Sequence, residues 1–316
     1  MNMEDKVFCG NNISILKKDE NHTIYHMKDI SGKGSMSCYN VFPGIDLLYN
    51  DFHMQRCFSE FSPKVEMIGI DHCREGRIEW ENHNSYLYMQ KGDIQIDAKN
   101  CHALPFAFPL NHYHGITVAI YVEEASKTLS GLLNSFSIDL KALQNKFCAG
   151  KTPFIKHAEG SIQQIFSALY AVPDSIQVSY LKIKVLELLL FLGAIDEPAD
   201  SEKRPYFPKK QVGTVKEIMK HITENLDRHY TLEELSSLFD IPITSMKLCF
   251  KGVYGASVYA FIRSYRMQSA ALMLRQTNEN VAAIASKVGY DNASKFAAAF
   301  KTTMEMSPQE YRKAFS

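Results

Sequence analysis

Three groups of residues in this 316-residue chain have types and spacings that could do chemistry. In the first, hydroxyls and ammonium groups recur at helical spacing: Thr244, Ser245, Lys247 and Lys251 in one short segment, then Asn292, Ser294, Lys295 and Lys301 in another. Such groups, carried on one face of a helix, hydrogen-bond to base edges and neutralise phosphates. The second group is His112-Tyr113-His114, two imidazoles that point the same way on a strand and suit a metal ion. The third is DHCREGRIE (71–79), where Arg74 and Arg77, next to Trp80, could hold an anionic small molecule.

The histidine pair lacks a partner in sequence. No carboxylate follows until Glu123, the preceding PFAFPLN offers no ligand, and His102 is the one nearby addition. The pair therefore reads as surface or satisfied histidines, and no metal centre or other cofactor is expected. The 71–79 segment reads equally as a charged hairpin. Glu66 and Glu79 do not form an acid/base pair, and Gly32-Lys33-Gly34 is too short for a phosphate loop. Nothing else points to a catalytic centre, so the chain is not expected to be an enzyme.

The elements that must position these groups fall into two regimes. Up to about residue 122, short Ile-, Val-, Tyr- and Phe-rich segments alternate with turn residues: GIDLLYNDF (44–52), VEMIGIDHC (65–73), GRIEWENH (76–83), SYLYMQKGDIQID (85–97) and HGITVAIYV (114–122). Turns are expected at Gly32-Lys33-Gly34, Pro43-Gly44, Glu75-Gly76 and Lys91-Gly92-Asp93. Many short strands predict a small sandwich or barrel. From about 123 to 195 the period is helical, most clearly in 175–195, where Ile176, Tyr180, Ile183, Leu186, Leu190 and Phe191 form a stripe. That stripe either packs on the strand domain or makes a dimer contact. DEPADSEKRPYFPKK (196–210), with its prolines and charges, reads as a linker. Helices continue from Val212 to the end.

Composition supports this division. Lys plus Arg and Asp plus Glu are balanced at 35 each, but residues 205–316 hold 15 basic and 10 acidic residues. A basic tail on an acidic remainder fits contact with nucleic acid. Seven scattered cysteines without a C-x-x-C pair argue against a disulfide framework or structural zinc site and for a reducing cytoplasm. The run Val185–Ile195 is too short to span a bilayer, so no membrane partner is expected.

In the C-terminal third, Thr231 and Glu234 form a capping-box pattern before a short helix. Asp240-Ile241-Pro242 breaks it, and a second helix places Met246, Phe250 and Val253 on one face, away from Thr244, Ser245, Lys247 and Lys251. The layout repeats: 280–288 is a short helix, Gly289-Tyr290-Asp291 a turn, and 292–303 a helix with Phe296, Phe300 and Met304 on one stripe. Between the repeats, 257–276 reads as one helix of about 30 Å at 1.5 Å per residue, close to the roughly 34 Å between successive major grooves on one side of a duplex. In the second reading helix the face opposite the phenylalanines carries Lys295, Ala298 and Thr302. Ala298 cannot make a bidentate guanine contact, but its methyl can meet a thymine methyl and it lets the backbone approach.

The pieces TLEELSSLF, MKLCFKGVYGASVYAFIRSYRM, VAAIASKVGYDNASKFAAAFK and MSPQEYRK occur in an order and spacing that resemble the C-terminal domain of AraC/XylS-type bacterial transcription regulators. The strand-rich half is similar in layout to the cupin-like sensing and dimerisation region of that family. The resemblance implies an α+β chain: a cupin-like sensing domain with a helical dimerisation segment (1–195, helices about 123–195), a linker (196–210) and a double helix-turn-helix domain (211–316). It implies promoter DNA, a small-molecule effector, RNA polymerase and a second copy of the chain as partners, with activation the commoner mode. Base discrimination is expected from the first unit, through Thr244, Ser245 and Lys247, while the second relies on Asn292, Ser294 and Lys295, with phosphate positioning by Lys301 and Arg266. Two departures stand out: Asp240-Ile241-Pro242 replaces a small residue in the first turn, and Glu305 stands where glycine is common. A positive φ at Glu305 would cost roughly 1 kcal/mol. The rival reading is a cupin-type metalloenzyme, favoured only by His112 and His114.

Overall fold

The computed structural model describes residues 13–57, 65–82, 84–98, 106–132, 138–150, 152–195 and 206–315. His102 and residues 196–205 of the expected linker lie outside them. The chain divides into two compact units, one up to Tyr206 and one from Phe207.

The first unit is α+β. Its strands are β1 (Ile13–Lys18), β2 (His22–Asp29), β3 (Gly32–Phe42), β4 (Ile45–His53), β5 (Arg56–Cys57), β6 (Met67–Asn82), β7 (Ser85–Gln90), β8 (Asp93–Ala98), β9 (Phe106–Ala107), β10 (Tyr113–Tyr121) and β11 (Phe154–His157). Helices α1 (Val122–Leu132), α2 (Leu140–Cys148), α3 (Gly160–Leu169) and α4 (Gln177–Ala194) complete it. All pairings are antiparallel, in the order β1-β2-β3-β4-β10-β6-β8-β11, and the far half of β6 also pairs β7 and β9.

Alternation along β10 shows why the sheet curls. Ile116, Val118 and Ile120 pack with residues of α1 to α4 in one apolar cluster. Tyr113, Ala119 and Tyr121 face the other way, meeting Tyr25, Met27, Met36, Leu48, Phe52 and Met89 from four other strands. Both faces of the strand are buried, so the sheet bends over its second face while helices cover the first.

Two expected turns are not turns. Segments 65–73 and 76–83 fall on one strand, β6, from 67 to 82, and its register with β10 shifts just before Glu75-Gly76, where Arg74 is the extra residue of a bulge. A Cβ on Gly76, whose φ is +84°, would meet the His112 carbonyl. Gly32 to Gly34 opens β3, and the reversal lies just before it, around Ile30.

Helix α4 corrects the reading of its stripe. The residues buried on the sheet side are Leu181, Val185, Leu188, Leu189 and Leu192. Ile176, Ile183, Leu190 and Phe191, from the stripe read in sequence, are exposed. Both faces are apolar, so spacing alone could not tell which one turns inward.

The second unit is all-α: α5 (Lys209–Glu224), α6 (Leu232–Leu238), α7 (Ile243–Tyr254), α8 (Val258–Gln276), α9 (Val281–Lys287), α10 (Ala293–Met304) and α11 (Pro308–Phe315). Helix α5 starts two residues inside the expected linker, directly after Pro208, whose fixed φ suits a helix entry. It stops at Glu224, and the Asn225 side chain just beyond donates to the His221 carbonyl (2.9 Å). Among the described residues no helix is long and apolar enough to cross a membrane.

Candidate nucleic-acid interface

The first helix pair is α6 and α7. Thr231 caps α6 through a complete capping box: its Oγ1 accepts from the Glu234 amide (3.1 Å), and the Glu234 carboxylate accepts from the Thr231 amide (2.7 Å). Asp240 turns the chain with φ +47°, the strained conformation that a small residue would relieve. The Ser236 hydroxyl closes this turn by donating to the Ile241 carbonyl (2.7 Å). In α7, Met246, Cys249, Phe250 and Val253 are buried, which seats the helix and fixes its rotation. That rotation leaves Thr244, Lys247 and Lys251 exposed and Ser245 half-buried. Leu248, between the lysines, is 59% exposed. It went unnoticed in the sequence because leucine scores as core, yet it can offer methyls to a thymine methyl.

The second pair is α9 and α10. Asn280 caps α9, accepting from the Ala283 amide (2.7 Å), and Asn292 caps α10, accepting from the Lys295 amide (2.9 Å). Asn292 was expected to touch DNA. Its side-chain oxygen is committed to the cap, which leaves only its amide donors for a base or phosphate. Phe296 and Phe300 are buried completely, while Ser294, Lys295, Ala298, Lys301 and Thr302 are exposed and Ala297 and Ala299 half-buried. Helix α8 packs against α7, α9 and α10 and spans about 28 Å over its 19 residues.

Arg266 is a correction. Expected at a phosphate, it is 6% exposed and lies within the unit. Its Nη2 donates to the Arg228 carbonyl (2.8 Å), and its Nη1 lies 3.5 Å from His229 Nδ1. His229 Nε2 in turn donates to the Gly289 carbonyl (2.8 Å). Gly289 has φ +78°, and a Cβ there would meet the Leu226 carbonyl and the Arg266 guanidinium. The arginine thus ties α8 and the segment after α5 to the turn between α9 and α10. Burial lowers its pKa below the ordinary value. Sequence could not show this, because arginine on a helix usually reads as surface. Arg263, one turn earlier on α8, is exposed.

The three effector candidates in the first unit do not share a site. Arg74 lies over the Tyr170 ring at 4.9 Å, on the helix side of the sheet. Arg77 is buried, donates to Gln90 Oε1 (3.1 Å) and sits over the Tyr88 ring. Trp80 packs into the cluster on the opposite face. The structure instead opens a groove of ≈ 220 Å³ lined by Ser37, Tyr39, Tyr49, Tyr170, Val172 and Gln177. Burial raises the pKa of all three phenols above the ordinary value, so they stay protonated. The Tyr49 hydroxyl donates to the Leu169 carbonyl (2.7 Å). As for the histidine pair, His112 Nδ1 donates to the Leu110 carbonyl (3.0 Å), whereas His114 Nε2 reaches Asp51 Oδ1 (3.0 Å). A search along the chain misses this carboxylate because it comes from the neighbouring strand.

Two capped helix pairs carried by one long helix define a double helix-turn-helix unit, a class that presents its second helices to DNA grooves. Residues 235–314 match the family model described as a helix-turn-helix domain. Among curated relatives, the transcriptional regulator MtrA of Neisseria gonorrhoeae is 23% identical over 168 residues, 52% of this chain and 56% of its own length. An HTH-type transcriptional regulator of Haemophilus influenzae is 33% identical over 95 residues, 30% of this chain and 32% of its own length. An AraC-like transcription regulator of Streptomyces lividans is 31% identical over 86 residues, 27% of this chain and 28% of its own length. The chain thus spans from about a quarter to about half the length of these three relatives. Its C-terminal unit is a helix-turn-helix domain, similar to that of AraC-like regulators.

Proposed function

We propose that this chain is a sequence-specific DNA-binding transcription regulator, most simply an activator, whose first unit responds to a small molecule. The observation that carries the reading is the matched polarity of α7 and α10. Each buries a phenylalanine-centred stripe and turns hydroxyls and lysines outward, and both are held by α8. In this reading Thr244, Ser245, Lys247 and Leu248 discriminate bases, and Ser294, Lys295 and Ala298 meet the second groove. Lys251, Lys301 and Arg263 bind phosphates, with Arg263 in place of Arg266.

The partners follow from the first unit. Ile176, at the cap of α4, and Ile183 and Leu190 on its exposed side recur every seven residues, the spacing of a helix seam, and a second copy of the chain would cover them. The groove at Tyr39 and Tyr49 reaches Gln177, the first residue of α4. A small molecule held by the phenol, hydroxyl and amide groups of this groove would therefore bear on the helix that carries the seam. Its effect can be no larger than its differential affinity for the two arrangements. RNA polymerase is the partner an activator needs, and no enzymatic activity is part of this reading.

Selection from random duplexes, followed by footprinting, tests the function. Protection of two half-sites about one helical turn apart is expected. Protection of a single groove, or no selected sequence at all, would overturn it.

A further inference from the structure

The register of β4 against β10 places Asp51 directly opposite His114. His53, two residues further along β4, shares the face of Asp51, because side chains alternate along a strand. Opposite residues in an antiparallel pair have Cβ atoms about 5 Å apart, and diagonal ones remain in reach of long side chains. The three side chains converge on this geometry. Asp51 Oδ1 lies 2.9 Å from His53 Nε2 and 3.0 Å from His114 Nε2, and the two Nε2 atoms are 3.4 Å apart.

We propose that Asp51, His53 and His114 form a binding site for one divalent first-row transition ion of the zinc type. A tetrahedral ion with bonds of about 2.0–2.1 Å spaces its ligand atoms about 3.3–3.4 Å apart. The separations here are within a few tenths of an ångström of that, and exposed side chains can open by that amount. Two imidazoles and one carboxylate suit zinc, nickel or copper and not magnesium or calcium, which take oxygen donors. The ligands occupy three corners, and the fourth faces solvent. The neighbouring charges are mixed: Glu75 is the register partner of His114 on β6, and Lys33 is that of His53 on β3.

The site lies on the opposite face from Phe52 and Tyr113, which pack inside the curl of the sheet. It therefore does not open into the interior. A bound ion would clamp the end of β4 to the start of β10, so it would stabilise the unit by preferring the folded state.

The test is calorimetric titration of the metal-stripped full-length chain with zinc alone, repeated on Asp51→Asn, His53→Gln, His114→Gln and, as a control, His112→Gln. The comparison between proteins separates this site from any cysteine that also takes zinc. The wild-type chain and the His112 variant are expected to bind one equivalent that each of the other three binds more than about tenfold more weakly. Zinc should also raise the melting temperature of the wild-type chain more than that of the three variants. If zinc does not bind, or binds with the same stoichiometry and affinity in all five proteins, the site does not exist. In that event the three residues are only a carboxylate hydrogen-bonded to two rings.

Discussion

Replacing Arg266 by methionine separates two roles that arginine can play in a DNA-binding unit. In the structure its guanidinium is a brace, donating to the Arg228 carbonyl and adjoining His229, which holds the Gly289 carbonyl. Methionine keeps most of the side-chain volume but removes every donor. A hydrogen bond from a charged group contributes about 1.5–3 kcal/mol, and the carbonyl left behind is part-buried. Relief of the guanidinium's desolvation offsets some of this, leaving a destabilisation of about 2 kcal/mol. In a unit of this size each kcal/mol lowers Tm by about 4 °C or more. Hydrogen exchange should show it locally, as faster exchange in peptides covering 226–230 and 286–292. DNA affinity falls with the folded fraction, but the slope of log K against log salt should not change, because no phosphate contact is lost. The reasoning is refuted if exchange is unaltered while the slope falls by about 0.9, the signature of one lost phosphate contact.

Three further outcomes follow from the same geometry. Lys247→Ala should change which sequences are selected, whereas Lys301→Ala should weaken binding to all sequences and lower the salt slope by about 0.9; fluorescence anisotropy at several salt concentrations reads both. Glu305 ends α10 in the left-handed conformation, with φ +62°, so Glu305→Gly should stabilise the second unit by up to about 0.6 kcal/mol in urea unfolding, the strain relieved less the added freedom of glycine when unfolded. His72, stacked on Phe166 and facing the Tyr170 hydroxyl at 3.1 Å, has its pKa lowered by burial to about 4. Between about pH 4 and the unfolded value of about 6.5 the unfolded chain holds the extra proton, so stability falls with falling pH, by about 3 kcal/mol across the window; His72→Phe should flatten that dependence in pH-resolved urea unfolding.

The C-terminal unit was legible because its signals are local. Thr231 with Glu234, and Asn292 before the Phe296 and Phe300 stripe, announce helix starts within four residues. Glycines and breakers mark the turns between. Even there, the inward rotation of Arg266 was hidden, since it depends on Arg228, His229 and Gly289, which lie 23 to 38 positions away. The first unit was legible only as a class. Its strands could be recognised from alternation, but their pairing could not. Asp51 meets His114 across 63 positions, and Tyr49 meets Tyr170 across 121. Sites made by register are invisible until the register is known. The rotation of α4 failed for a different reason: apolar residues stand on two of its faces, so its helical period did not say which one turns inward.

The two helices proposed to read DNA are unequal, and the inequality has a physical consequence. Helix α7 carries long side chains, Lys247, Leu248 and Lys251, on its open face, so it can reach base edges from a distance. Helix α10 presents Ala298 between Lys295 and Thr302, and the Thr302 hydroxyl is already bonded to the Ala298 carbonyl (2.9 Å). Such a surface gains little from any one base, but it lets the backbone lie close to the duplex and leaves its lysines for phosphate. Binding by α10 would then be governed by groove shape more than by hydrogen-bond pattern. Because α8 holds both helices and Arg266 fixes the turn before α10, placing α10 on a fitting groove also sets where α7 lands. The smooth helix would supply register and the long-chained one sequence, so neither half-site alone should be bound as selectively as the pair.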